Sequence, residues 1–263
     1  MASLKLDGIH YVLANQSDAK RIWRFLTLYF LDQELLCKSI GAKSSYSWME
    51  KFIQSKLFRY LVKQNVRQPT SVLALDEGND LVGVVLGNFY SSSKPGPRES
   101  YSLRMANSLD WIVSPKVYQV SRVYKFLLEE CRFSPNSLIH DLQTPDIFIG
   151  KVFCVAPHVR GLGIAQELMG HSHNLARKHA RMYVMPSSSN LTYRFLAKMD
   201  FELAREAPYQ SVKDLILETD QELDPFRVMF KRLDVPYSDD MMEDPSTHLS
   251  LTQFHGEIIR STT

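Results

Sequence analysis

Apolar positions along the chain recur with two periods, and the change from one to the other marks the elements. Residues 10–14 read as a short strand. Ser17 or Asp18 then caps a helix whose apolar residues, Ile22, Phe25, Leu26, Tyr29 and Phe30, fall at i, i+3, i+4, i+7 and i+8. The pattern predicts a second helix over 46–63, with Phe52, Ile53, Leu57, Tyr60 and Leu61 inward. Strands over 71–76 and 81–86 flank the turn Glu77-Gly78-Asn79, a hairpin signal. The Pro95-Gly96-Pro97 stretch is a loop. Ser114 followed by Pro115 opens a third helix, because a capping serine precedes a proline at the first helical position. Its inward residues are Val120, Tyr124, Leu127, Leu128 and Cys131. Residues 147–155 are the most apolar strand, which implies burial on both faces. A helix over 161–180, with Ile164, Leu168 and Leu175 in one stripe, leads to a strand over 182–185. A helix with Leu191, Phe195, Leu196 and Met199 follows, and strands over 201–204 and 226–233 close the series. Hairpins early and one βαβ unit in the middle define an α/β protein with a mixed sheet, in one domain over residues 1–234.

Composition narrows the class. At 44% hydrophobic and 23% charged residues, the chain matches globular averages and can fill a core. No apolar run reaches roughly 18 residues, so no membrane span is expected. The opening residues Met1 to Asp7 lack the basic region and apolar stretch of a secretory signal. Cys37, Cys131 and Cys154 are odd in number and widely spaced, which fits neither a disulfide framework nor a metal site. A reducing, cytoplasmic setting is expected. The formal charge of +2 conceals an asymmetry: six acids from Asp234 to Glu257 face only Arg260. Residues 235–263 are therefore expected to be an acidic, poorly packed tail on a basic body. A basic body suits a phosphorylated small ligand as well as simple solubility. No Lys/Arg run with interleaved aromatics points to nucleic acid.

The chemistry concentrates in Val155-Ala156-Pro157-His158-Val159-Arg160-Gly161-Leu162-Gly163-Ile164-Ala165. This run joins the apolar strand to an amphipathic helix through a turn with two glycines. Such a turn lets backbone approach a ligand, and the N–H groups that open the helix favour an anion. The glycines alone are equally compatible with a plain tight turn. A dinucleotide fingerprint is excluded: Gln166 occupies the third glycine position, and no acid ends the 182–185 strand. No P-loop motif exists.

Arg160-x-x-Gly163-x-Ala165, after a long apolar strand and before helix, short strand, helix and strand, resembles the acetyl-coenzyme A motif of the GNAT superfamily of N-acetyltransferases. That resemblance implies a mixed, mostly antiparallel central sheet flanked by helices, with acetyl-coenzyme A as co-substrate and no metal. It implies that the backbone of Arg160, Gly161, Leu162, Gly163, Ile164 and Ala165 binds the pyrophosphate, and that Phe153, Cys154 and Val155 pair with the pantetheine arm. Within the superfamily, Asp32-Gln33-Glu34-Leu35-Leu36 with Gly41 is similar to the D-E-P-L element of the invertebrate arylalkylamine N-acetyltransferases of the dopamine-acetylating type. The Ser187-Ser188-Ser189 run and the closing 227–233 strand agree with it. The resemblance makes Glu34 the general base and Ser188 and Thr192 the hydroxyls beside the coenzyme thiol. Gln33 and Leu35 depart from the element, and Tyr193 does not reach the tyrosine position that many GNAT enzymes use.

The expected activity is acetyl or short-acyl transfer to the primary amine of a small arylalkylamine, by direct attack within a ternary complex. The chemistry requires a carboxylate that deprotonates an ammonium and a donor for the oxyanion, for which the N–H near Cys154 or Val155 is the candidate. Alternatives are a polyamine or peptide amine as acceptor, or a coenzyme A-binding regulator without turnover. Cys154 with His158 offers an acyl-enzyme route, but a cysteine inside an apolar strand is usually a small hydrophobe. His171 and His173 lie two apart on a helix, face apart, and read as a solvated face rather than metal ligands. A monomer is expected, with no nucleic-acid or membrane partner.

Overall fold

The computed structural model describes residues 8–30, 48–93, 115–209 and 224–233; at 48–54, 57 and 115–121 it describes the backbone only. The elements are β1 (His10–Leu13), α1 (Ala19–Tyr29), α2 (Trp48–Asn65), β2 (Val72–Leu75), β3 (Leu81–Ser91), α3 (Pro115–Glu130), α4 (Pro135–Asp141), β4 (Asp146–Val155), α5 (Ile164–Arg177), β5 (Met182–Ser187), α6 (Asn190–Lys198), β6 (Glu202–Ala207) and β7 (Phe226–Arg232). The strands form a mixed sheet in the order β1-β2-β3-β4-β5-β7-β6, in which only β4 and β5 run parallel. The mixed α/β class read from the sequence is the one observed. The N-terminal cap differs in detail. Asp18 is the N-cap residue of α1 but makes no side-chain bond to that helix; it accepts the Asn15 N–H at 2.8 Å while Asn15 accepts the Ser17 N–H at 2.8 Å, which closes a single 3₁₀ turn before α1 begins.

Two cores stabilise the sheet. The larger unites β1 to β4 with α1, α2 and α5, and the smaller lies between α3, α4 and the strands β4, β5 and β7. β4 serves both: Phe148 faces the larger core, and Ile147 and Ile149 face the smaller. Burial of Ile164 and Leu168, both 0% exposed, fixes the first turns of α5 on the sheet, at about 1.5–3 kcal/mol per side chain. In α2 the inward face is shifted from the expected one. Tyr60 is 40% exposed, and Val62 and Val66 are buried instead, since the helix turns its Leu61–Val62 edge toward α1 and β3.

The β4–β5 pair sets up the site. Its parallel ladder runs from Ile147–Met182 to Ile149–Val184 and stops, although β4 continues to Val155 and β5 to Ser187. Two sequence features account for the stop. In this register the next rung would join the N–H of residue 186 to the carbonyl of Gly150, and residue 186 is proline, which has no N–H. On β4, Leu86 pairs with Val152 while Gly87 pairs with Gly150, so Lys151 is an inserted bulge residue. A bulge bends its strand and increases the local twist. Both strands stay paired on their outer sides, β4 with β3 and β5 with β7, so a wedge opens inside the sheet.

Candidate active site

The bulge also decides which backbone groups line the wedge. The N–H of Ala156 bonds the Val82 carbonyl at 2.9 Å, so Ala156, Cys154 and Val152 direct their backbone polar groups to β3. Phe153 and Val155, the intervening residues, direct theirs away from β3 and into the wedge. Here an interior strand presents an unpaired edge. Consistent with that direction, the Val155 carbonyl accepts a hydrogen bond from Arg160 Nε at 3.3 Å. Of the three strand residues named from the sequence, Phe153 and Val155 offer polar groups to the opening, whereas Cys154 bonds to β3.

The loop after β4 continues the same edge. Pro157–Val159 form a 3₁₀ turn, and Gly161 and Gly163 adopt left-handed backbone, φ 83° and 84°. A β-carbon added at Gly161 would meet nothing within 4 Å, so the loop is open on that side. Gly163 is the N-cap of α5, and its carbonyl accepts the N–H groups of Gln166 at 2.9 Å and Glu167 at 3.2 Å. Among the described residues, no acceptor takes the N–H groups of Gly161, Leu162, Gly163, Ile164 and Ala165. Five successive donors at the positive end of a helix form a cradle for a phosphate-type anion. The chemistry of this donor set fits the pyrophosphate of a coenzyme A thioester, and the Phe153–Val155 edge fits an amide-bearing arm.

The opposite wall is the corner between β5 and α6. Phe195 of α6 stacks on Phe153 of β4, ring centroids 5.2 Å apart and planes 10° off parallel. Thr192 lies one turn earlier on the same helix face. Ser189 caps α6: its Oγ accepts the Thr192 N–H at 3.1 Å and donates to Thr192 Oγ1 at 3.0 Å. Ser188 and Thr192 are both half-buried. Tyr193 is committed elsewhere, its ring stacked under the Arg227 guanidinium at 4.4 Å. Arg227 also donates to Glu206 at 2.6 Å and to Asn190 at 2.9 Å, and Asn190 donates to Asp224 through its backbone and its side chain. The sequence reading missed this buried arginine cluster. An arginine between Phe226 and Val228 gave no local signal of burial, because alternation in that strand places it on the face opposite those two residues.

Glu34 lies outside the described residues. α1, which leads to it, ends beside the loop: the Tyr29 ring is 6.2 Å from that of His158. The acyl-enzyme alternative meets a physical obstacle, because burial pushes the Cys154 thiol up to about 12 and Cys154 packs into the larger core. His171 is not on a solvated face; its ring lies 4.5 Å from that of Tyr11, and burial holds its pKa below the usual histidine range. Among the described residues, no group of three His, Cys, Asp or Glu side chains gathers as a metal site, and no helix is long and apolar enough to cross a membrane.

A sheet split between two parallel neighbours, with a glycine loop and helix N-terminus at the mouth of the split, defines the class. The chain has the GNAT N-acetyltransferase fold. Its structure is similar to arylalkylamine N-acetyltransferase 2 from Aedes aegypti, with TM-score 0.65 and 17% identity over 86% of this chain and 99% of that one. It is also similar to the Drosophila melanogaster polyamine N-acetyltransferase that forms N-acetylagmatine, with TM-score 0.62 and 14% identity over 86% and 100%. The C-terminal condensation domain of Ebony, solved with β-alanyl-dopamine, shares the fold at TM-score 0.56 and 13% identity over 86% and 99%. No family model and no curated protein matches the sequence.

Proposed function

We propose that the protein transfers an acetyl or short acyl group from a coenzyme A thioester to the primary amine of a small arylalkylamine. The observation that carries this reading is the set of unaccepted N–H groups of the 161–165 loop at the end of the Phe153–Val155 edge, which turns away from β3. Acetyl-coenzyme A supplies the activated carbonyl and a thiolate leaving group. The chain's residues do the rest. Gly161 to Ala165 hold the pyrophosphate by backbone N–H groups, whereas the Arg160 N–H expected to join them is bonded to the Pro157 carbonyl at 3.3 Å, and the edge of Phe153 and Val155 aligns the pantetheine arm. The Val155 N–H donates to the carbonyl oxygen as charge develops there. Glu34 takes the proton that an ammonium must lose before it can attack. Ser188 and Thr192 hydrogen-bond the departing sulfur.

The aryl amine is placed ahead of a polyamine on the likeness of residues 32–36 to the arylalkylamine element. The test is release of coenzyme A thiol from acetyl-coenzyme A over a panel of aryl amines, polyamines and a peptide with a free N-terminus. Saturable turnover with aryl amines alone supports the reading. Turnover only with polyamines or the peptide keeps the transferase and replaces the acceptor. Tight coenzyme A binding with no turnover on any amine makes the protein a coenzyme A-binding regulator. For the base, Glu34→Gln is expected to lower kcat/KM by about a hundredfold and to remove the acidic limb of its pH profile. An unchanged profile would rule Glu34 out.

A further inference from the structure

Ser189 has one hydroxyl proton, and the heavy-atom geometry assigns it an acceptor. Its Oγ accepts the Thr192 N–H at 3.1 Å, the ordinary bond of a helix cap, and its own proton is donated to Thr192 Oγ1 at 3.0 Å. Because that proton lies between the two oxygens, the Thr192 hydroxyl proton cannot also lie there. It is directed away from Ser189, and no described residue accepts it. Thr192 shares a helix face with Phe195, whose ring stacks on Phe153 across the wedge. The free proton therefore belongs to the side of α6 that carries the contact to β4.

We infer that Ser189 is a positioning residue for acyl transfer: its hydroxyl fixes the Thr192 proton so that it points to the thioester sulfur. The inference rests on the reaction proposed above. In that reaction the C–N bond forms, the C–S bond breaks and its electron pair stays on sulfur. The amine gives up two protons, one reaching sulfur and the other solvent. Thr192 hydrogen-bonds the sulfur as charge builds, and the Ser189 bond polarises the Thr192 hydroxyl in the same direction, as linked hydrogen bonds do. Ser189 touches no reacting atom.

The test is a double-mutant cycle on the full chain, with kcat and KM measured separately and thermal stability recorded for each variant. Ser189→Gly removes the donor while a glycine retains most of the cap. It is expected to lower kcat about tenfold with KM for acetyl-coenzyme A unchanged, and Ser189→Thr is expected to restore it. Thr192→Val should lower kcat by at least as much, and adding Ser189→Gly to it should cost nothing further. A purely structural cap would instead give additive losses in the double variant, which would overturn the inference. So would wild-type kcat in Ser189→Gly beside a slow Thr192→Val. Wild-type kcat in Thr192→Val removes the threonine from the reaction and the inference with it. If the wild-type chain turns over no amine at all, the proposed function itself has failed.

Discussion

The two halves of β4 have the same neighbours in the fold and opposite fates. From Asp146 to Ile149 the strand is paired on both edges and locked by a row of rings, Phe89–Phe148–Tyr183–Phe201, with successive centroids 5.0, 4.8 and 5.3 Å apart. From Gly150 to Val155 it keeps β3 and loses β5, and its ring contact passes to a helix through Phe153 and Phe195. The lower half contributes stability. The upper half forgoes pairing that a sheet interior normally demands, and a buried unpaired backbone group costs about 1–3 kcal/mol. A site made this way withholds hydrogen bonds from the protein so that a ligand can receive them.

The largest expected effect lies at the mouth of the open half. Gly161→Val forces a left-handed residue into strain and turns its neighbouring N–H groups out of the cradle. Each charge-assisted bond lost costs about 1.5–3 kcal/mol, so acetyl-coenzyme A affinity should fall on the order of a hundredfold by calorimetry. The Cβ meets no protein atom, so urea stability should change far less. A comparable loss of both would assign the loop to folding. At the junction of the halves, Gly150→Ala places a methyl 3.0 Å from Met185 Cγ and from Tyr183 Cε2. The urea midpoint should drop by the equivalent of about 1–3 kcal/mol. An unchanged midpoint would mean that the two strands are not held as closely as described.

The third effect is a pH dependence. The Cys154 thiol is raised from 9.0 to about 12 by burial, so the folded protein prefers the neutral form. Below pH 9 its contribution to stability is constant. Above pH 9 the unfolded chain ionises and the folded one does not, so stability falls as pH rises toward 12, at up to about 1.4 kcal/mol per pH unit. Cys154→Ala should flatten the alkaline fall between pH 9 and 10.5; an identical slope would remove Cys154 from it. The smallest effect is expected from Pro186→Ala, which restores the missing N–H. Acetyl-coenzyme A should bind about threefold more weakly as the ladder gains a rung. Slow exchange of the new amide would report that rung, and fast exchange would leave the bulge at Lys151 as the sole cause of the split.

The open half of β4, which the proposed function assigns to the coenzyme, was the less legible in the sequence. Its apolarity and the Arg160 to Ala165 loop were readable, because both are local patterns that a single segment displays. The wedge was not, since it depends on register: Pro186 matters only when residue 186 is known to face Gly150, and Lys151 only when Leu86 and Gly87 are known to pair on either side of it. β5 accordingly runs two residues beyond its expected end, through Pro186, because an unpaired edge tolerates a proline. α4 was overlooked although Ser134 and Pro135 repeat the signal that located α3 at Ser114 and Pro115. Its seven residues are too few to show a period. Ser189 was visible only as part of a serine run, and its role as a cap emerges from the α6 boundary.

The unpaired edge has one more consequence, for the lifetime of the protein. A molecule seated along Phe153, Val155 and the glycine loop satisfies donors that the chain alone leaves bare, and it does so only while the sheet is folded. Linkage then adds about 2.7 kcal/mol to the folded state when free ligand stands at a hundred times its dissociation constant. Resistance to heat and to proteolysis should therefore rise and fall with ligand supply, so that starvation for the ligand shortens the life of the protein as well as halting its work.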